Sequence, residues 1–160
     1  MLSHTHNSSD PQESKVAKRR NPFYVAQEIL SRRDHSEFEV TAKLKRKGFN
    51  TAQIQPVMTW LREKKLVNDA SFAEKYTQSV LDYKKVGPMW IKQKLRQKSV
   101  PAVCIEDALA KLLSPSQEVE IARQAADAWR RLHPAHKNDR NRLTRFLASR
   151  GFSSQAIYKT

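Results

Sequence analysis

Glycine is almost missing from this chain: Gly48, Gly87 and Gly151 are the three among 160 residues. A sheet joined by tight hairpins usually needs more, because primed turns demand positive φ. Nor can GxGxxG or GxxxxGK[ST] be written around them, which excludes a glycine-rich phosphate loop. Cysteine is a single residue, Cys104, so no intramolecular disulfide can form. Its place beside Ile105 in an amphipathic stretch suits a small buried apolar residue better than a nucleophile. No apolar run approaches the roughly 20 residues of a membrane span, so no membrane association is expected. The N-terminal charges have no apolar core behind them, which argues against a secretory signal and for a cytoplasmic protein.

Catalytic and metal patterns are missing as well. His4 and His6 fall in a polar tail, His35 beside a helix start, and His133 and His136 in a loop. None belongs to H-E-x-x-H or a Cys/His ligand pattern, so neither a metal nor a cofactor is expected. Glu37, Glu39, Asp69 and Asp139 stand at helix starts, where capping and the helix dipole account for them. With no catalytic residue to name, a non-enzymatic protein is expected.

What the chain does have is positive charge and helical periodicity. Thirty Lys and Arg against sixteen Asp and Glu leave a formal charge of +14. Such a surplus attracts polyanions and speeds encounter with them. Residues 1–21 are polar, lack periodic apolar residues and end near the cluster Lys18-Arg19-Arg20, as expected of a disordered basic tail. From Pro22 onward apolar residues recur three and four apart. Val40-x-x-x-Leu44, Lys47-Gly48-Phe49 and Ile54 can be laid over Ile91-x-x-x-Leu95, Lys98-Ser99-Val100 and Ile105. Both lie over Leu143-x-x-x-Leu147, Arg150-Gly151-Phe152 and Ile157. Leu44 to Leu95 is 51 residues and Leu95 to Leu147 is 52, a period that marks a repeat array.

Each repeat reads as three helices. In the first, a helix over about Pro22–Arg33 is followed by Ser36-Glu-Phe-Glu39, a capping-box pattern that opens a second helix running to Gly48. A third covers about Thr51–Lys64. The next repeat places Phe72, Ala73, Tyr76, Val80 and Leu81 on an inward face and restarts at Gly87-Pro88, with Ile105, Leu109 and Leu112 in its last helix. In the last repeat Ser114-Pro115 opens a helix to Leu132, Asp139 caps another, and the closing helix is short. The expected fold is therefore all-α, with three tandem three-helix repeats over 22–69, 70–113 and 114–160 in an elongated, curved array whose neighbouring units pack at their junctions.

The second helix of every repeat is basic. Lys43, Arg46 and Lys47, then Lys92, Lys94, Arg96 and Lys98, then Arg142, Arg145 and Arg150 are expected to point largely outward as a ribbon suited to a phosphate backbone. Lys and Arg are also good helix formers on solvated faces, which keeps a purely structural explanation open. Trp90 adjoins this basic stretch and is the best candidate to stack on a base, whereas Trp60 and Trp129 suit helix packing. Repeated Lys and Arg without interleaved Asn or Gln at a helix N-terminus offer little base-specific readout, so contact with single- or double-stranded DNA should be independent of sequence.

Two stretches carry a resemblance. Arg33-Asp34-His35-Ser36-Glu37-Phe38-Glu39-Val40 with Lys43-Leu44-Lys45-Arg46-Lys47-Gly48-Phe49 resembles the opening repeat of RecX proteins. Leu66-Val67-Asn68-Asp69-Ala70-Ser71-Phe72-Ala73-x-x-Tyr76, followed by Gly87-Pro88-x-x-Ile91-x-x-x-Leu95-x-x-Lys98, is similar to their second. With a weaker match at Arg150-Gly151-Phe152, the resemblance spans about residues 24–158. Val80 departs from it, standing where the family commonly carries an arginine, and Ser99-Val100 replaces the usual Gly-aliphatic pair. The resemblance implies a regulator of DNA repair, recombination and the SOS response, and the chain is expected to be a monomer. Such a protein binds the RecA recombinase and its DNA filament and dampens strand exchange, ATP hydrolysis and co-protease activity. On the residues alone, a sequence-independent DNA-binding protein with no recombinase target is the competing expectation.

Overall fold

The computed structural model describes residues 21–160. The expected tail, apart from Asn21, and the cluster Lys18-Arg19-Arg20 lie outside the described residues. Among those residues the regular structure is helical throughout, with no strand. Helices α1 Pro22–Leu30, α2 Glu37–Arg46 and α3 Thr51–Glu63 come first. Next are α4 Asp69–Tyr83, α5 Pro88–Gln97 and α6 Ala102–Leu112, then α7 Pro115–Leu132, α8 Arg140–Ser149 and α9 Ser154–Tyr158. A 3-10 turn over Pro134–His136 joins α7 to α8.

Local chemistry sets the helix starts. Asn21 Oδ1 accepts from the Phe23 amide, with Pro22 in the first turn. Ser36 and Glu39 form the expected capping box, and Asn50–Gln53 and Ser114–Gln117 form two more. Asp139 caps α8 as expected. α1 stops three residues before the expected Arg33: Ser31 caps it, and Ser31 Oγ donates to the Glu28 carbonyl at 2.9 Å. The chain must then extend so that His35 can turn inward and Ser36 can reach the start of α2, where its ψ is 159°.

The described residues up to Val67 form one compact unit, and Asn68–Thr160 a second. The first is built on Val25, Ile29, Val40, Leu44, Val57 and Leu61. The second holds two clusters. One gathers Phe72, Val80, Val86, Ile91, Leu95 and Ile105. The other is poorer in large side chains, with Ala122, Ala125, Ala126 and Ala156 around Trp129, Leu147 and Phe152. On α4, Thr77 is buried with Phe72, Ala73 and Val80, whereas the expected Tyr76 and Leu81 are half-buried. Val80, the departure from the family pattern, is core. Cys104, expected to be buried, is half-buried against the same cluster, and burial pushes its thiol pKa up.

The repeat signature is one backbone motif made three times. In each repeat the second helix ends when an amide two residues past the cap donates back to a leucine carbonyl: Phe49 to Leu44 at 3.3 Å, Val100 to Leu95 at 3.2 Å, Phe152 to Leu147 at 3.3 Å. The residue between them turns left-handed: Gly48 at φ 92°, Ser99 at 53°, Gly151 at 81°. This is the Schellman closure, with the apolar residue beyond the turn packing back on the leucine.

Within the second unit, the last two repeats join through backbone. The Gly87 amide donates to the Arg150 carbonyl at 2.9 Å, and the Met89 amide to the Gly151 carbonyl at 3.0 Å. α5 has no side-chain cap, unlike α2 and α8; the end of α8 satisfies its leading amides instead. Pro88 lacks an amide at the intervening position, so nothing there goes unpaired. The approach leaves no room for side chains: a Cβ on Gly87 would lie 2.2 Å from the Gly151 oxygen, and one on Gly151 2.3 Å from the Trp90 nitrogen.

These geometries separate three substitutions. Gly87→Ala should destabilise the chain by about 3–5 kcal/mol, combining overpacking with two displaced hydrogen bonds. Gly48→Ala meets only the cost of a left-handed alanine, about 1 kcal/mol, since nothing lies within 4 Å of the added carbon. Ser99→Gly should stabilise by about 0.5–1 kcal/mol. Urea unfolding followed by circular dichroism ranks them, and equal effects for the two alanine variants would refute the backbone junction.

Candidate interaction surface

The basic second helices place their charges unevenly. In α2, Lys45 and Arg46 are exposed, as is Lys47 at its C-cap. Lys43 is half-buried, and its Nζ donates to His35 Nε2 at 2.5 Å. In α5, Arg96 is exposed, but Lys92, Lys94 and the C-cap Lys98 are half-buried and engaged. Lys92 pairs with Glu106 at 2.7 Å. Lys94 lies 5.3 Å from the centre of the Trp90 ring, and Lys98 sits 5.9 Å from Phe72 and 5.7 Å from Tyr76. In α8, Arg142 pairs with Asp139 at 3.0 Å and Arg150 lies 5.2 Å from Phe146. Arg142, Arg145 and Arg150 are all exposed.

The recurring Lys47, Lys98 and Arg150 are the C-caps of α2, α5 and α8. A cation there meets the negative end of the helix dipole, worth about 0.3–1 kcal/mol. Acidic groups are mostly committed elsewhere: Glu28 to Arg32, Glu37 to Arg62, Glu39 to Arg33 and Glu74 to Lys111. The exposed charge of Arg46, Lys47, Arg96 and Arg145 therefore stands in surplus, with no ion pair among the described residues.

The tryptophans divide differently from one another. Trp129 is buried, stacked on His133 with centroids 4.9 Å apart and near Phe146 at 6.1 Å. Trp60 is half-buried edge-on to Phe23. Trp90, the candidate for base stacking, is half-buried, and its ring already carries Lys84 at 4.8 Å as well as Lys94.

Two features escaped the sequence. The periodicity placed His35 beside a helix start and Lys43 on an outer face; instead they meet, with His35 2% exposed. His35 Nδ1–H donates to the Arg33 carbonyl at 2.8 Å, which leaves Nε2 as the acceptor for Lys43. Burial, reinforced by the charges of Arg33 and Lys43, holds the imidazole pKa below its ordinary 6.5, against the pull of the Arg33 carbonyl and Glu39. Burial likewise lowers the Lys43 ammonium below its usual value, with Arg33 the next cause. The second feature is Tyr83-Lys84-Lys85 at the end of α4, which lines a groove against α7 and α8. A dibasic pair one residue before Gly87-Pro88 was the available signal. No group of three or more potential metal ligands, and no helix long and apolar enough to cross a membrane, occurs among the described residues.

A chain of successive three-helix modules, each with its second helix closed by the same turn, defines an all-helical repeat protein. Comparisons narrow that class. Family models of the first, second and third RecX three-helix domains match residues 25–61, 68–109 and 117–160. The regulatory protein RecX of Prosthecochloris aestuarii is 36% identical over 135 residues, covering 82% of this chain and 85% of that protein. That of Chlorobaculum tepidum is 32% identical over 133 residues, covering 82% and 81%. The crystal structure of RecX from Lactobacillus salivarius superposes with a TM-score of 0.79 at 25% identity, covering 89% of this chain and 93% of that one. The chain belongs to the RecX family of regulatory proteins.

The buried histidine makes stability depend on pH. Unfolded, His35 takes up a proton near its ordinary 6.5; folded, it resists until lower pH. Its contribution is therefore complete above that value and is lost as pH falls through it. The lowered Lys43 value acts at the other end, favouring the fold as pH rises toward 10.5. His35→Gln should flatten the fall in urea midpoint between about pH 7 and about pH 5 relative to the parent chain. An unchanged slope would mean that His35 titrates as it does in the unfolded chain.

Proposed function

We propose that this chain is a non-enzymatic, monomeric cytoplasmic regulator that binds the RecA recombinase and RecA–DNA filaments and inhibits strand exchange, ATP hydrolysis and co-protease activity. The observation that carries this reading is the match of three successive modules to the RecX domains, in order. The cation placement supports it. Arg46, Lys47, Arg96, Arg142, Arg145 and Arg150 are exposed on the second helices, where they would meet DNA phosphates or acidic protein surface. Lys43, Lys92, Lys94 and Lys98 are held by partners within the chain, so in this reading they shape the surface and contribute less direct contact. Contacts of this kind carry no base-specific information and suit a filament of any sequence.

The deciding assay is the ATPase of RecA on single-stranded DNA, with the chain titrated in well below one-to-one. Inhibition at substoichiometric amounts is expected. The combined variant Arg46→Glu, Lys47→Glu, Arg96→Glu, Arg145→Glu should raise the half-inhibitory concentration by at least about tenfold with helicity unchanged. Inhibition that appears only once the DNA is saturated would instead identify a general DNA-binding protein. Inhibition that survives the charge reversal would move the interface to another face.

A further inference from the structure

The groove between the last two repeats is built differently from the basic helices. It encloses about 800 Å³ within the second unit, bounded by the end of α4, the start of α5 and the facing sides of α7 and α8. Its floor is apolar and shallowly relieved, because α7 presents Ala125 and Ala128 beside Trp129. Leu132 is 77% exposed and Tyr83 is 87% exposed, and these two large apolar side chains line the same cleft. The rim is cationic: Lys84, Lys85 and Arg150 line it, and no carboxylate among the described residues does.

We propose that this groove is a docking site for an acidic peptide segment of a protein partner, with apolar side chains seated on the Ala125/Ala128 floor and carboxylates on Lys84, Lys85 and Arg150. Charge complementarity selects the acid. Lys84 and Arg150 lie over the rings of Trp90 and Phe146, contacts that fix their position without neutralising their charge. The apolar floor selects a peptide over a nucleic acid. A single strand gripped here would need open ring faces, yet Trp90 and Phe146 carry cations and Trp129 is stacked on His133. Among the described residues Tyr83 is left as the one groove ring without such a contact, less than a platform for successive bases. An aliphatic edge such as Leu132 instead matches a leucine or phenylalanine side chain.

This goes beyond the proposed recombinase regulation and is decided without it, because neither recombinase nor filament enters the assay. The full chain is titrated against a short fluorescein-labelled peptide of glutamates interspersed with leucine and phenylalanine, read by fluorescence anisotropy. Two control peptides replace either every glutamate by glutamine or every apolar residue by serine. Binding should weaken by about tenfold or more with either control, with Lys84→Glu/Lys85→Glu, and with Ala128→Trp, which fills the floor. Leu132→Ser, at an exposed position that leaves folding untouched, should weaken it by about threefold or more. Binding of labelled oligothymidylate by the Ala128→Trp and Leu132→Ser chains should stay at the parent level. Equal binding of the glutamine or serine peptide overturns the proposal, as does full peptide affinity in the folded Leu132→Ser chain. Loss of oligothymidylate binding in these two variants would reassign the groove to nucleic acid.

Discussion

The second unit depends on one contact, the meeting of backbone at Gly87 and Gly151. Two helices that would each end in unsatisfied polar groups, α8 in carbonyls and α5 in amides, end on each other instead. The geometry is complementary in charge as well, since the carbonyl end of one helix dipole faces the amide end of another. Each hydrogen bond adds only about 1 kcal/mol net, yet leaving the same groups buried and unpaired would cost more. The contact works only at side-chain-free positions, which is why two of the chain's three glycines stand there. It also relieves the third cluster, whose alanine-rich core has little apolar area of its own, by making that module part of its neighbour.

The same turn serves three purposes in three repeats. At Gly48 only the dihedral matters, because nothing crowds the α-carbon. At Ser99 the dihedral is kept and a side chain tolerated at a cost in strain. At Gly151 dihedral and close approach coincide. The cation before each turn has a structural role in all three, as a C-cap on a helix dipole, so its recurrence does not by itself mark a binding residue. Exposure, not recurrence, is what separates charges available to a partner from those that serve the fold. By that measure Lys47 and Arg150 are open, and Lys98 is folded onto Phe72 and Tyr76.

The sequence was legible where chemistry is local. Ser36-x-x-Glu39, Ser114-Pro115, Asp139 and Gly87-Pro88 marked helix starts because caps and proline act within a turn of chain. The period of 51–52 residues exposed the repeats because each closes with the same six-residue turn. What could not be read were pairings across elements. Lys43 appears on an outer face by periodicity, but its long side chain reaches back to His35, eight residues upstream. Thr77 is buried beside Phe72 and Val80, a polar position that hydrophobicity alone cannot place in the core, while the expected Tyr76 and Leu81 pack half-buried against the same cluster. The groove was invisible because its walls come from α4, α7 and α8, brought together by the glycine junction rather than by any local pattern.

Charge and shape divide the work of recognition between them. A formal charge of +14 draws in any polyanion at long range, and salt weakens that attraction for all of them alike. It sets the rate of encounter and cannot by itself distinguish a filament from free DNA or from an acidic protein. Discrimination requires surfaces on which the wrong partner leaves something unpaired. The exposed arginines of the second helices offer no such penalty, since any phosphate satisfies them. The cleft between the last two repeats does: a fully hydrated polyanion placed there gains the lysines and forfeits the apolar floor, while an uncharged apolar segment gains the floor and leaves the rim unmatched. In a chain this basic, the selective surface is the one where positive charge is joined to something charge alone cannot satisfy.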